Sequence, residues 1–471
     1  MARGDANSLS ANAPTADGLV RAAERVLLPS VAALPGLRMC VGLSGGIDSI
    51  VLLDVLAVLA RRYGWRLSAI HVNHQLSTNA PTWAAFCRRA CRARGVPLRV
   101  VKVEVARGNS TEAAAREARY AAYRACRADV IALAHNQDDQ VETLLLRLLR
   151  GAGVKGLAGM PHTRMEGALR VVRPLLDAPR HEIERYAVGR GLQWVEDESN
   201  SDTHYLRNFL RADVLPRIAA RVPGYRGTLT RAAGHLAEAA VLLDELAQLD
   251  AAQCIRDDAL SLEGVRCLSR ARAGNLLRHF LARVGIAMPD KRMLDEALRQ
   301  ALHARGDAHV HIDFGTHVLR RFDGALYLTP RWNEPVSGIP VRWRGERVLR
   351  IATLGASLKM SRNNGKDNNA GIDLACLNAA PVYVRLRRGG ERLRPEAGRP
   401  RRWIKDLFQE HKVPPWVRDR LPFLWSGRHL VWVPGIGIDL RFQARAGAPS
   451  VMPQWLCDAG RPLGSRGVRH D

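Results

Sequence analysis

The stretch that most constrains this chain runs Met39-Cys40-Val41-Gly42-Leu43-Ser44-Gly45-Gly46-Ile47-Asp48-Ser49 and continues into the apolar-periodic run from Ile50 to Leu59. Met39 to Leu43 reads as a buried strand, Ser44-Gly45-Gly46 as a turn that only small residues can make, and Ile47 onward as a helix with apolar residues at helical spacing. Backbone N–H groups in such a turn converge where the helix dipole already favours negative charge. Two glycines let a phosphate approach without a Cβ in its way. The pattern predicts a pyrophosphate cradle. The lysine of a GxxxxGK[ST] loop is absent, so γ-phosphate hydrolysis of that kind is not expected. Standing alone, such a Ser/Gly turn is equally well read as a tight strand-to-helix connection.

Further strand-like runs at Leu67–Val72, Leu98–Val105 and Val130–Ala134 alternate with helical patterns at Pro81–Arg94 and Thr111–Arg127, behind a helical lead-in from about Leu19 to Leu34. Near-continuous apolar strands separated by helices require a parallel sheet covered on both faces, so an α/β, doubly wound fold is predicted. Ligands in such sheets collect at the carboxyl ends of the strands, and the unusual polar residues fall there. After the second strand come His71 and His74, without a third metal ligand nearby. A later helix, capped by Asn109 with Glu112 in a capping-box pattern, carries Arg116, Arg119, Tyr120 and Tyr123 at spacings that share one face. That face is either a solvated basic surface or a set of guanidiniums suited to a phosphate.

The fourth strand ends in His135-Asn136-Gln137-Asp138-Asp139-Gln140-Val141-Glu142-Thr143. Asp139 and Glu142 project from one side of the first turns of the next helix. Acids there complement the helix dipole; beside a phosphate turn they also suit Mg²⁺, whose hard oxygen ligands are shared with nucleotide phosphates. Arg147 to Met160, with glycine at 151, 153, 156 and 159, is expected to be a mobile loop.

Lys plus Arg number 71 against 46 Asp plus Glu, a net charge of +25. An excess that large favours a polyanionic partner, nucleic acid ahead of a membrane surface, although the arginine preference of a GC-rich genome would supply part of it. The eight cysteines form no CxxC, so no zinc or iron–sulfur site is indicated. No apolar run approaches the roughly 18 to 20 residues that span a bilayer, and Met1 to Asn12 lacks a signal-peptide core. A cytoplasmic protein with no membrane association is expected.

Residues 1–18 read as a disordered tail, 19–218 as the nucleotide-binding catalytic domain, and 219–335 as a helix-rich domain ending in a small β segment. A connecting segment, 336–379, holds a polar linker at Ser361 to Asn369; a basic domain at 380–460 and a tail at 461–471 complete the chain. In the basic domain Arg385, Arg387, Arg388, Arg392, Arg394, Arg401 and Arg402 are interleaved with Trp403 and a glycine turn. That mixture suits an RNA backbone and an unpaired base.

Ser44 to Ser49 resembles the SGGxDS loop of the PP-loop ATP pyrophosphatases. HVNHQL, REARY, AHNQDDQVETLLLRLLRGAGVKGLAGM, RPLL, WVEDESN and YLRN, in this order behind it, resemble the tRNA(Ile)-lysidine synthetases over roughly residues 38–218. The C-terminal arginine block resembles the C-terminal domain of the same family. The resemblance implies a PP-loop, Rossmann-like fold, and ligation of L-lysine to C2 of the wobble cytidine in the CAU anticodon of tRNA(Ile). It implies ATP as co-substrate and an adenylated cytidine intermediate. ATP would be gripped by Ser44, Gly45, Gly46, Ile47, Asp48 and Ser49, with His71 beside them. Mg²⁺ would be held by Asp48, Asp139 and Glu142, and Arg116, Arg119 and Arg207 would offset charge on the transferring phosphoryl group. Asn136 departs from the histidine often found there in the family and is read as tolerated variation. A tRNA thiolase and a catalytically silent tRNA-binding protein are the alternatives, and a homodimer is left open.

Overall fold

The first helix, α1 (Ala16–Val31), buries Leu19, Val20, Ala23, Leu27 and Val31, a stripe at helical spacing that packs into the main core. The helix begins at Ala16, inside the segment predicted as an unstructured tail, because Leu19 and Val20 already anchor its first turn. The computed structural model describes residues 16–31, 36–75, 79–103, 111–196, 206–304, 310–332, 340–354, 356–363, 371–445 and 447–457. The predicted cap Asn109, residues 197–200 of the EDESN block, Tyr205 of YLRN, and the linker residues 364–369 lie outside them.

The alternating pattern becomes β1 (Arg38–Gly42), α2 (Ile47–Tyr63), β2 (Arg66–Asn73), α3 (Ala80–Arg92), β3 (Leu98–Lys102), α4 (Thr111–Arg124), β4 (Val130–Ala132) and α5 (Gln137–Leu149). After the short α6 (Val154–Leu157) come β5 (Thr163–Glu166) and β6 (Leu169–Val172), a hairpin that the apolar pattern did not announce. Its strands have four residues each, and Gly167 at φ +63° makes the tight turn. The sheet order is β3-β2-β1-β4-β6-β5, parallel throughout except for β5. The order of successive strands reverses between β1 and β4, which opens a crevice at their carboxyl ends where such folds bind ligands.

Beyond α7 (Arg180–Gly189), α8 (Leu206–Phe209) passes through a π-helical turn at Leu210–Val214 into α9 (Leu215–Arg221) and then the long α10 (Tyr225–Cys254). Two compact units, 1–245 and 246–471, divide within α10.

The second unit opens with β7 (Ile255–Arg256), β8 (Ala259–Ser261), α11 (Leu262–Arg266), α12 (Arg270–Ala282), α13 (Lys291–His303), β9 (His311–Asp313), β10 (His317–Phe322) and β11 (Ala325–Pro330). Leu276, Leu277, Phe280 and Leu298 from the helices share a core there with Leu319 and Leu326 of the sheet. Next come β12 (Val341–Trp343), β13 (Val348–Ile351), β14 (Ala356–Asn363), β15 (Ile372–Asp373), α14 (Leu374–Asn378), β16 (Val382–Leu386), β17 (Arg392–Leu393) and β18 (Arg402–Trp403). The chain continues through α15 (Ile404–Glu410), α16 (Pro415–Arg418), β19 (Pro422–Ser426), β20 (His429–Val433), β21 (Gly437–Ile438) and β22 (Ser450–Cys457). These strands form the sheets β12-β16-β19-β20-β21 and β13-β14-β22-β15 and the separate pair β17-β18. Residues 336–379, expected to connect two domains, thus supply strands to both sheets. The expected linker begins inside a strand, since Ser361, Arg362 and Asn363 pair with Met452, Val451 and Ser450. Among the described residues no helix is long and apolar enough to cross a membrane.

Candidate active site

The turn between β1 and α2 stays open at the helix end. Gly46 occupies the N-cap with no side-chain cap, and the first intrahelical bond runs from Ile50 N–H to the Gly46 carbonyl. The N–H groups of the first turn of α2 therefore have no partner within the helix and face the crevice end of the sheet. Side chains brace the turn from within: the Gly45 N–H donates to Ser49 Oγ at 3.1 Å, the Gly46 N–H to Ser44 Oγ at 3.3 Å, and Ser49 Oγ donates to the Gly46 carbonyl at 2.9 Å. Gly45 has φ +99°, and a Cβ there would stand 3.3 Å from Cys87 Sγ. His71 is buried beneath the turn, with Nδ1 2.9 Å from the Leu43 carbonyl oxygen, and burial pushes it below the usual imidazole range. Its contacts in the structure are with the residue that leads from β1 into the loop and, at 3.7 Å, with Cys87 Sγ of α3.

Across the crevice, Asn136 caps α5. Its side chain accepts the Asp139 N–H and Asp139 returns a bond to the Asn136 N–H, both at 3.0 Å, a capping box built from Asn and Asp. The Asn136 amide also donates to Asp48 Oδ1 at 2.9 Å, and Arg180 donates to Asp48 Oδ2 at 2.6 Å. Burial, and to a smaller degree the charge of Asp139, push the Asp48 carboxyl above its usual range against the pull of Arg180 and Asn136.

The other acid of α5, Glu142, is fully buried and both of its oxygens are engaged. Arg207 Nε donates to Oε2 at 2.7 Å and Arg211 Nε to Oε1 at 2.6 Å, while Arg207 also reaches Asp139 Oδ1 at 2.8 Å. Arg207 and Arg211 flank the entry to the π-helical turn, a feature frequent at functional sites, and both turn toward one carboxylate. Asp138 faces another way, accepting from the Arg180 N–H at 3.1 Å and from Arg226 Nε at 2.5 Å.

Arg116 and Arg119 are exposed on α4, whereas Tyr120 and Tyr123, expected on the same face, are buried. Arg116 lies over the Tyr120 ring at 5.1 Å. Burial pushes His135 down to about 3, helped by the guanidiniums of Arg173, Arg207, Arg116 and Arg119 around it. Burial and Arg119 hold His74 at about 4. Both imidazoles are neutral near pH 7, with buried Nδ1 atoms that have no protein partner. Arg180 was not singled out by the sequence, and Arg173 only as the first residue of the RPLL block, with no role given to it; neither belongs to a periodic pattern, and the fold brings them to the crevice.

The predicted mobile loop after α5 is pinned. Arg147 donates to the Gly156 and Gly159 carbonyls at 2.7 and 2.9 Å, and the Gln140 side chain pairs with both backbone groups of Met160.

Mg²⁺ needs oxygen lone pairs that strong guanidinium bonds do not already take. Glu142 does not fit the ligand role expected of it, because two arginines occupy both oxygens. Asp48 and Asp139 fit better: Arg180 takes one oxygen of Asp48 and Arg207 one of Asp139, while Asp48 Oδ1 and Asp139 Oδ2, which accept from Asn136, carry no guanidinium and keep lone pairs for a cation shared with phosphate oxygens. Among the described residues no group of three or more His, Cys, Asp or Glu is arranged to hold a metal by itself.

In the second unit the basic residues separate by packing. Arg385 is half-buried over the Tyr383 and Trp425 rings at 5.1 and 5.6 Å, Arg387 lies 3.8 Å from Asp419, and Arg394 is half-buried. Arg402 pairs with Glu410 and Arg401 with Asp439 at 3.6 Å. Arg388, Arg392, Arg401 and Trp403 are exposed. The Arg392 guanidinium sits 3.7 Å from the centre of the Trp403 ring.

Three family models match the chain: a PP-loop domain over residues 21–218, a TilS substrate binding domain over 260–327 and a TilS substrate C-terminal domain over 382–455. A tRNA(Ile)-lysidine synthase of Nitrosomonas europaea is 46% identical over 89% of this chain and 92% of its own length. One of Chromobacterium violaceum is 43% identical over 86% and 93%. Among solved structures, the U34-tRNA thiolase NcsA from Methanococcus maripaludis aligns at 17% identity and a TM-score of 0.38, covering 47% of this chain and 80% of that one. At these identities and coverages, the chain belongs to the tRNA(Ile)-lysidine synthase family.

Proposed function

We propose that this enzyme joins the ε-amino group of L-lysine to C2 of the wobble cytidine in the CAU anticodon of an isoleucine tRNA, using ATP and releasing AMP and pyrophosphate. One observation carries the nucleotide half of the reading, and the lysine and tRNA half is supported by the family to which the chain belongs. The uncapped amides of α2 and the Asp48–Asn136–Asp139 bridge meet at the β1/β4 switch point, beside Arg207 and Arg211 on Glu142.

In the first step the turn from Ser44 to Ser49 holds the inner phosphates of ATP through main-chain N–H groups. Cytidine O2 attacks the α-phosphorus, the new O–P bond forms as the bond to the bridging oxygen breaks, and pyrophosphate leaves. Asp48 and Asp139 would hold Mg²⁺, which when bound neutralises charge on the phosphates and on the leaving pyrophosphate. Arg116, Arg119 and Arg207 would offset the charge that develops on the transferring group. Glu142 positions Arg207 and Arg211 by bonding both. In the second step the neutral ε-amine of lysine attacks C2, its nitrogen passes a proton to one of the crevice carboxylates, and the C2–O bond breaks so that AMP departs with the former O2.

The test is nucleoside mass analysis of a CAU-anticodon tRNA transcript incubated with the enzyme, ATP and lysine. The expected product is a cytidine heavier by one lysine less water, formed with AMP. Unmodified cytidine, or a sulfur-bearing product from a persulfide donor, would overturn the reading.

A further inference from the structure

Trp403 is 44% exposed, among the most exposed large apolar side chains of the second unit. It stands at the end of β18, a two-residue strand paired with β17, so that Arg392 is its cross-strand partner. One face of the indole is covered by the Arg392 guanidinium at 3.7 Å. The ring also borders a cavity of about 310 Å³ lined by Arg387, Gly390, Glu391, Lys405 and Asp406. That volume is at the small end of the roughly 300–1,000 Å³ range of ligand sites, room for a single nucleoside and not for a duplex.

The lining combines what one unpaired base and its phosphate need. Trp403 offers a π-face, Arg387 and Lys405 offer positive charge, and Asp406 is a carboxylate able to accept from an exocyclic amine. The Glu391 carboxylate is committed to the Arg388 and Gly389 N–H groups at 2.6 to 3.1 Å, which fixes the Gly389-Gly390 turn at the rim. A base inside a helix presents no free face, so an indole that stacks selects single-stranded nucleotides.

We propose that this cavity takes one unpaired base of the tRNA, stacked on the ring face of Trp403 that Arg392 leaves open. The inference rests on the tRNA substrate proposed above. The base comes from the single-stranded 3′ end or from a loop, two sources with the same chemistry that the test separates.

The test measures tRNA affinity of the full chain and its Trp403→Ala, Trp403→Leu, Trp403→Phe and Arg392→Ala variants. Trp403→Leu fills the space of the ring without supplying a π-face, so it keeps the test decisive if the alanine variant folds poorly. Trp403→Ala and Trp403→Leu should weaken binding on the order of tenfold, and Trp403→Phe by less than about threefold. On a transcript trimmed of its single-stranded 3′ nucleotides, or on one with abasic loop positions, the wild type should fall to the level of Trp403→Leu. The transcript on which the difference vanishes identifies the source. An undiminished difference on both transcripts, wild-type affinity in Trp403→Leu, or full reproduction of the loss by Arg392→Ala would overturn the proposal. If the wild type itself releases no tRNA-dependent AMP, the proposed function fails instead; wild-type turnover with unaltered Trp403→Leu binding removes only the base pocket.

Discussion

Asn136 Nδ2 donates to Asp48 Oδ1 at 2.9 Å, so the cap of one helix holds the first-turn carboxylate of another. The side-chain oxygen of the same residue accepts the Asp139 N–H. One buried amide thus sets the separation of the two carboxylates at the mouth of the crevice. Sequence reasoning assigned this position no chemical role, because asparagine stood where a histidine was expected; the geometry gives it a positioning role.

Asn136→Ala should lose the cap, costing about 1 kcal/mol, and should also free Asp48. Asn136→Asp is the sharper variant. It keeps an acceptor for the Asp139 N–H but sets a second negative charge against Asp48 Oδ1, so tRNA-dependent pyrophosphate release should fall further than in the alanine variant at a temperature where both are folded. The reverse order of the two variants would mean that Asn136 acts through helix stability alone.

Arg180 supplies the largest opposing pull on Asp48, whose carboxyl burial holds above its usual range. Asp48 works as the carboxylate, so the acid limb of the activity profile should lie above the ordinary aspartate range. Arg180→Ala removes a lowering influence and should move that limb to still higher pH. The linked stability follows the same sign: the contribution of a raised carboxyl is complete below its unfolded value and is lost as pH rises through the folded one. Pyrophosphate release measured across pH for the two proteins checks this, and an acid limb moving downward in Arg180→Ala would refute it.

The parallel sheet was legible because its strands are near-continuous apolar runs and its helices carry period-3.6 stripes; β1, β2, β4 and their helices fall close to where periodicity put them. The β5–β6 hairpin was not, since a four-residue strand offers too few alternations to distinguish from a loop. At the site, Asp139 and Glu142 stood out by residue type after a strand end, whereas Asp48 and Arg207 were singled out through the resemblance of the SGGIDS and YLRN blocks. What those groups do to one another depends on long-range contacts. Arg180 lies 132 positions from Asp48 and Arg211 69 from Glu142, so the sequence could not show that Glu142 would spend both oxygens on guanidiniums. The loop after α5 misled for a related reason: its glycines suggested mobility, but Arg147 and Gln140 reaching from the helix, and Lys155 paired with Asp244, hold it.

Glu142 is the point at which stability and chemistry meet. Its side chain has no exposure, and its neutral isostere would leave two guanidiniums facing an amide. Breaking a buried ion pair costs roughly 3–5 kcal/mol, and the partial exposure of Arg207 and Arg211 puts the expected loss for Glu142→Gln near the bottom of that range, about 3 kcal/mol. For a unit of this size the thermal midpoint should drop by roughly 6–12 °C. Were Mg²⁺ binding the main task of Glu142, raising the metal concentration would restore activity to Glu142→Gln. We expect no such rescue, because the defect lies in the placement of Arg207 and Arg211.

Gly45→Ala tests the cradle itself. At φ +99° a side chain is strained whatever the space, and the new Cβ would press on Cys87 Sγ at 3.3 Å. The strain alone should cost about 1–3 kcal/mol. Gly36 is the matched control: it has φ +83° with nothing within 4 Å of where a Cβ would stand, and it lies before β1, at the opposite end of that strand from the cradle. Gly36→Ala should lose comparable stability and keep its affinity for ATP. Gly45→Ala should bind ATP at least tenfold more weakly at a temperature where both variants are folded, because the turn must shift to accommodate the methyl group and its N–H groups no longer converge. Calorimetric titration with a non-hydrolysable ATP analogue separates the two, and equal affinities would show that the Ser44–Ser49 turn is only a strand-to-helix connection.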